Sequence, residues 1–397
     1  MRILMLAPQP FYEERGTPIA VRLAAEALAA QGHEVDLLSF HLGRSIPMPG
    51  VRHHRIAPPP GIRHVPIGFS FKKVVCDLYM LGKAARMMLH QRYDVLHAVE
   101  EAAFFALPLA ALGRAKLVYD ADSILSEQIV EKWPKVAPLA GLVAWVERLA
   151  YRRSDLVVAV CPAVRDAASR AAPAARVHLL PDAVMGEGAP PPVEEDLRAE
   201  AEGREVALYV GNLEAYQGVP LLLQAMAMLP PGDRPLLVVI GGDEAAVERH
   251  RLLAEGLDIA ADVQLLGVRP LSALGAYLPM ADILCSPRIK GRNTPMKIFS
   301  YMASGRAILA TDIESHRQVL DAECAMLVTP DAAGMAAGLQ RLKHDPACRA
   351  RLGDAARAKA LRDYSHAAFE GRLRRAYAMI APDGLNPPAA PALKVRL

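Results

Sequence analysis

The chain reads as short apolar runs separated by amphipathic stretches. Residues 2–7 are apolar and run into Pro8. Over residues 21–31 the apolar positions Val21, Ala24, Ala25 and Leu28 recur at helical spacing, and Gly32 ends the run. A second strand is predicted over 34–40, which completes a βαβ unit. Further short strands are predicted over 95–98, 116–119, 156–160 and 177–180, with helical stretches between them. This alternation predicts a parallel, doubly wound sheet.

Composition then shifts. Residues 181–196 contain Pro181, Gly186, Gly188 and the prolines 190–192, which marks a linker or hinge. Beyond it the same grammar restarts, with strands over 205–210, 235–240, 263–266, 283–286, 307–310 and 325–328 and a helix over 218–228. The expected class is α/β, with two Rossmann-like doubly wound parallel-sheet domains over 1–184 and 185–364 facing a central cleft. A length of 397 residues suits two domains. Open α/β sheets bind ligands beyond the carboxyl ends of their strands. Residues 382–397 are rich in proline and alanine and are expected to form a poorly ordered tail.

A net charge of +3 makes no global demand for nucleic acid, and no nucleic-acid partner is expected. Local charge says more. Between residues 41 and 92 there are nine Lys and Arg side chains and one acid, Asp77. This strip is either a solvated surface or a face for an anionic membrane or a phosphorylated lipid acceptor. The five cysteines form no C-x-x-C pair, which argues for a reducing compartment and against a zinc site. The start lacks the parts of a signal peptide, and no apolar run reaches the roughly 18 residues of a membrane span. The expectation is a cytoplasmic protein, soluble or peripheral at the inner face of the membrane.

Four loops carry candidate chemistry. In 286–305, Asn293 or Thr294 can cap a helix that opens at Pro295 and stops at Gly305. Lys297, Ser300 and Ser304 share one face of that helix. Arg288, Lys290, Arg292 and Lys297 lie within ten residues of one another. Free amides, a positive helix end and clustered cations suit a diphosphate. Negative charge grows there as a nucleotide leaves a sugar, and fixed cations stabilise it. The alternative is a well-capped helix with solvated cations. The second loop, 209–219, is a strand, a glycine turn at Gly211 and a helix opening at Gly218, with Asn212 and Gln217 in the turn. In the third, Gly16 permits close backbone approach and Thr17 can cap the first helix. The fourth follows the strand over 116–119. Asp120 and Asp122 there can hold a metal, bind hydroxyls or cap a helix. Glu100 and Glu101 are candidates for acceptor hydroxyls.

On these residues the chain resembles the GT-B glycosyltransferases, in particular glycosyltransferase family 4, over roughly residues 2–379. The markers are the glycine loop at Gly16, the Val210-Gly211…Gln217-Gly218 turn, and the 295–305 helix followed by Ala307-Ile308-Leu309-Ala310-Thr311. The resemblance implies transfer from a nucleotide sugar, UDP- or GDP-linked, with retained configuration, no cofactor and no metal. It implies a donor on the C-terminal domain and a glycan or lipid-linked acceptor on the N-terminal one, as in polysaccharide biosynthesis. A last helix, here 365–381, would cross back to the N-terminal domain. Gly16, Thr17, Gly211, Asn212, Gln217, Arg292, Asn293, Thr294 and Ser300 would then contact the donor. Lys297 and Asp122 would serve catalysis, and Glu100 and Glu101 the acceptor.

Three departures are visible. The family's paired glutamates are replaced by Arg292 and Ser300, and its Arg and Lys in the glycine turn by Asn212 and Gln217. A common histidine is replaced by Asp122. Cations in the 288–297 loop can restore the positive charge lost from the turn. The competing reading is a nucleotide-sugar-binding pseudoenzyme. A dehydrogenase is disfavoured, because Pro8-Gln9-Pro10-Phe11 stands where a G-x-G-x-x-G turn would be.

Overall fold

A computed structural model describes residues 1–66, 70–132, 138, 140–173, 176–185 and 189–381. The expected tail at 382–397 and part of the expected linker, 186–188, lie outside them. The chain divides into two compact units, one of Met1–Pro181 with Phe369–Leu397 and one of Asp182–Ala368.

The first unit holds β1 (Arg2–Ala7), β2 (Glu34–Ser39), β3 (Val51–Arg55), β4 (Val95–Val99), β5 (Lys116–Ala121), β6 (Leu156–Ala159) and β7 (Val177–Leu179). They pair in parallel in the order β3-β2-β1-β4-β5-β6-β7. The second unit holds β8 (Val206–Val210), β9 (Leu236–Ile240), β10 (Val263–Gly267), β11 (Ile283–Ser286), β12 (Ala307–Thr311) and β13 (Met326–Val328), in the order β10-β9-β8-β11-β12-β13. Each order reverses beside its first strand, so each sheet has a topological switch point at its carboxyl edge. The two Rossmann-like sheets expected from the sequence are present. The central strands β1, β4, β8, β9 and β12 are buried almost throughout, which is why they read as continuous apolar runs.

Some boundaries differ from expectation. Strand β3, Val-Arg-His-His-Arg, has no apolar alternation and is not predicted. It is an edge strand. Arg52 and His54 reach the buried Asp36 of β2 at 2.9 and 2.8 Å, so charge pairing replaces apolar packing. Burial alone would raise the Asp36 pKa, yet hydrogen bonds from Arg52, His54 and Tyr93 hold it down to about 2. The first helix is Gly16–Ala30, with Arg15 in the cap position. Thr17 therefore lies inside the first turn and does not cap. Pro18 fits that turn because amides there need no helical partner. The last helix, His366–Ala378, is anchored within the first unit from Phe369 on. The Tyr377 hydroxyl donates to His97 Nδ1 at 2.7 Å, and His97 Nε2 donates to Asp120 Oδ2 at 3.0 Å.

Candidate functional site

In the second unit the glycine turn and the cationic loop meet at the carboxyl ends of β8 and β11. The helix at 295–305 begins later than predicted, at Lys297, and runs to Ser304. Met296 occupies the cap position and no side chain caps it. Thr294 and Asn293 are thus not the caps. The chain turns first, with Ile298 N–H donating to Pro295 O at 2.9 Å, and only then becomes helical. The Thr294 hydroxyl is left buried with no partner among the described residues. Gly305 ends the helix at φ 71°, as the sequence predicts.

Lys297 is the centre of this arrangement. Its side chain is buried, its Nζ donates to Gln217 Oε1 at 3.2 Å, and Nζ sits 3.9 Å from the centre of the Tyr209 ring. No carboxylate pairs with it among the described residues. Burial, reinforced by the nearby Arg288 charge, holds its pKa well below the ordinary lysine value. The cation missing from the turn's own sequence therefore reaches the turn from the other loop. Gly211 makes room for it. A Cβ there would lie 3.0 Å from Lys297 Nζ and 2.9 Å from the Tyr209 hydroxyl. Two tyrosines set the turn: Tyr209 donates to Asn212 O at 2.7 Å, and Tyr301 OH accepts from Val210 N–H at 2.8 Å.

The other predicted donor residues spread out around this point. Arg292 pairs with Glu314 at 3.4 Å, and Lys290 is exposed. Arg288 lies over the Tyr216 ring at 5.3 Å. Asn212 is exposed and Asn293 partly so. Ser300 is buried and accepts from Met185 N–H at 3.1 Å. The structure thus brings Gly211, Gln217 and Lys297 into contact, while Ser300 faces the Met185 backbone.

In the first unit a partly buried polar cluster occupies the carboxyl ends of β4 and β5. Ser123 donates to both oxygens of Glu100, at 3.1 and 2.9 Å. Glu101 pairs with Lys73 at 2.5 Å. Asp77 lies one helical turn from Lys73 on the Phe71–His90 helix. Burial and the charge of Glu101, against Lys73, raise Asp77 to about 9, and the same environment raises Glu100 to about 8. Lys73 is therefore not part of an exposed basic strip. Asp122 sits just beyond β5, partly exposed, one residue before Ser123. Asp120 is engaged by His97, and Gly16 and Thr17 open the helix that follows β1.

Sequence reasoning missed Tyr209, Tyr301, Lys73, Ser123, and a buried trio of Ser286, Thr311 and His316. An aromatic residue two before the turn glycine was the only local sign of the first. The others act on partners far away in sequence.

Comparison with known proteins bears on both units. Residues 15–183 match the glycosyl transferase 4-like domain, and residues 194–359 match the glycosyl transferases group 1 domain. The chain belongs, by its two halves, to the glycosyl transferase 4-like and glycosyl transferases group 1 domain families. It is 30% identical over 191 residues to phosphatidyl-myo-inositol mannosyltransferase of Mycolicibacterium smegmatis, covering 47% of each protein. The chain thus spans about half the length of the curated relatives it matches. Among solved structures, the sucrose-phosphate synthase of Thermosynechococcus elongatus superposes with a TM-score of 0.78 at 21% identity, over 96% of this chain and 98% of that one. Anabaena HepE, solved in complex with UDP, superposes at 0.73 and 16% identity, over 95% and 100%. At these identities the structures share the fold of this chain.

Proposed function

We propose that the chain transfers a sugar from a UDP- or GDP-linked donor to a glycan or lipid-linked acceptor, with retained configuration and without a metal. The observation that carries this is Lys297, a buried ammonium with no carboxylate beside it among the described residues, set against Gly211 and Gln217 at a sheet's switch point. A buried cation without a counter-ion is costly unless an anion arrives. A nucleotide-sugar diphosphate is that anion. The buried Thr294 hydroxyl, without a partner among the described residues, supplies a further donor three residues before it. As the glycosidic bond to the leaving phosphate breaks, Lys297 and the loop cations stabilise the growing negative charge. The acceptor hydroxyl attacks from the face the phosphate leaves, and that phosphate takes the proton. Glu100, Glu101 and Asp122 orient acceptor hydroxyls on the first unit. Protein cations do the work of a metal, so transfer is expected to proceed unchanged in excess chelator. Product analysis should show retained anomeric configuration. An inverted product, or loss of turnover on chelation restored by a divalent ion, would overturn this reading.

Contact with an anionic membrane is part of the proposal, as is a cytoplasmic location. Its support is the Phe71–His90 helix, which leaves Phe71, Leu78 and Leu89 exposed beside Lys72 and Arg86. Among the described residues no helix is long and apolar enough to cross a membrane. Charge-neutral substitutions at Lys72, Lys83 and Arg86 are expected to weaken binding to phosphatidylglycerol vesicles several-fold. Sedimentation with such vesicles reads this, and equal binding by the variant would remove the membrane from the account.

A further inference from the structure

The cationic loop poses a mechanical problem. Arg288, Lys290, Arg292 and Lys297 repel one another, and nothing in the loop's own sequence opposes that. The end of β12 and the segment that follows it supply the restraint. The Thr311 hydroxyl donates to the Arg288 carbonyl. The Gln318 side-chain amide donates to the Arg292 carbonyl. Glu314 adds the Arg292 ion pair, which is exposed and weak. His316 ties this segment to β11. Its Nδ1–H donates to Thr311 O at 2.7 Å, and its Nε2 accepts from the Ser286 hydroxyl at 2.9 Å. Both ring nitrogens are thereby used in one tautomer. The ring is fully buried between the ends of β11 and β12, where the loop leaves and returns.

We propose that His316, acting with Thr311 and Gln318, is a positioning residue that clamps the cationic loop in its donor-binding geometry. The inference rests on the donor reading given above. The loop's carbonyls, and not its charged side chains, are what the clamp holds. The clamp thus fixes the course of the loop's backbone from which the cations project. Burial lowers the His316 pKa to about 4; the hydrogen bond to the Thr311 carbonyl opposes this, and the nearby Arg288 and Lys297 charges add to it.

Thr311→Val tests this with little change of shape, because it removes the hydroxyl that holds Arg288 O. It is expected to weaken UDP or GDP binding about tenfold, with the acceptor KM unchanged. Thr311→Ser, which restores the hydroxyl, should bind within about twofold of the wild type. His316→Ala should weaken nucleotide binding at least as much as Thr311→Val. Hydrogen exchange without ligand should be faster at the amides of 288–294 in Thr311→Val than in the wild type. If wild type binds UDP or GDP and Thr311→Val and His316→Ala bind equally well, the clamp is wrong and the donor site stands. If Thr311→Ser loses as much as Thr311→Val, the hydroxyl is not the cause and the clamp is again wrong. If the wild type binds neither nucleotide at millimolar concentration, the donor reading falls and the clamp's role falls with it.

Discussion

Lys297→Met is expected to lower the transfer rate by about 10²–10³-fold while leaving the unliganded fold as stable as before, or more stable. The first part follows from the role of a fixed cation where charge develops, where losing one donor costs about 2.7–4 kcal/mol. The second follows from the side chain's surroundings. The Lys297 Nζ lies over the Tyr209 ring, and its one hydrogen-bonding partner among the described residues is the Gln217 amide oxygen. Methionine keeps the stem and removes a charge that burial disfavours. The sign can be checked through pH. A lysine whose folded pKa is depressed costs stability as pH falls from its ordinary value towards the lowered one. Lys297→Met should therefore gain most over the wild type near neutral pH and least above pH 10. Melting curves across that range, together with turnover, separate a functional cation from a structural one. A variant that loses activity only because it unfolds would contradict the assignment.

The second large effect is expected at Lys73. There a lysine sits among three carboxyl groups, those of Asp77, Glu100 and Glu101. Lys73→Met leaves the carboxyl groups without it. Breaking a buried pair costs about 3–5 kcal/mol. Lys73 and Glu101 each retain some exposure, so a loss of about 3 kcal/mol is expected. For a unit of this size that is roughly 6–12 °C. The loss should grow with pH. Asp77 and Glu100 have folded pKa values raised to about 9 and about 8, above those of unfolded carboxyls. Their contribution is complete below the unfolded pKa, near 4, and is lost as pH rises through the folded values. Removing Lys73 raises those values further and deepens the loss at pH 9 relative to pH 6. Adding Asp77→Asn to Lys73→Met should recover part of the stability at pH 9, because the amide carries no proton to lose. A pH-independent deficit, or no recovery in the double variant, would show that the cluster is not electrostatically coupled.

Much of the fold was legible because its central strands are buried on both faces. Runs such as Leu236–Ile240 can hardly be anything else once their length and flanking turns are weighed. Strand β3 was not legible, since Arg52 and His54 face a buried Asp36 that only the sheet register puts opposite them. The site was legible in part. Lys297 and the glycine turn stood out locally, and Gly305 marked a helix end. Thr294 looked like a cap because it precedes a proline, yet a turn at 295–298 displaces the helix start by two residues. Lys73 looked like one more surface cation, because its partner Glu101 comes from a loop after another strand. His316 carried no signal at all. Its meaning lies in Ser286, thirty residues earlier, and in a carbonyl that has no sequence.

The most direct test of the central claim is thermal stabilisation of the wild type and Lys297→Met by UDP, GDP and ADP. A ligand at about 100 times its dissociation constant adds about 2.7 kcal/mol to native stability. The account predicts that UDP or GDP raises the melting temperature of the wild type and leaves Lys297→Met unmoved. Equal stabilisation of both proteins, or none of the wild type at millimolar nucleotide, would contradict it.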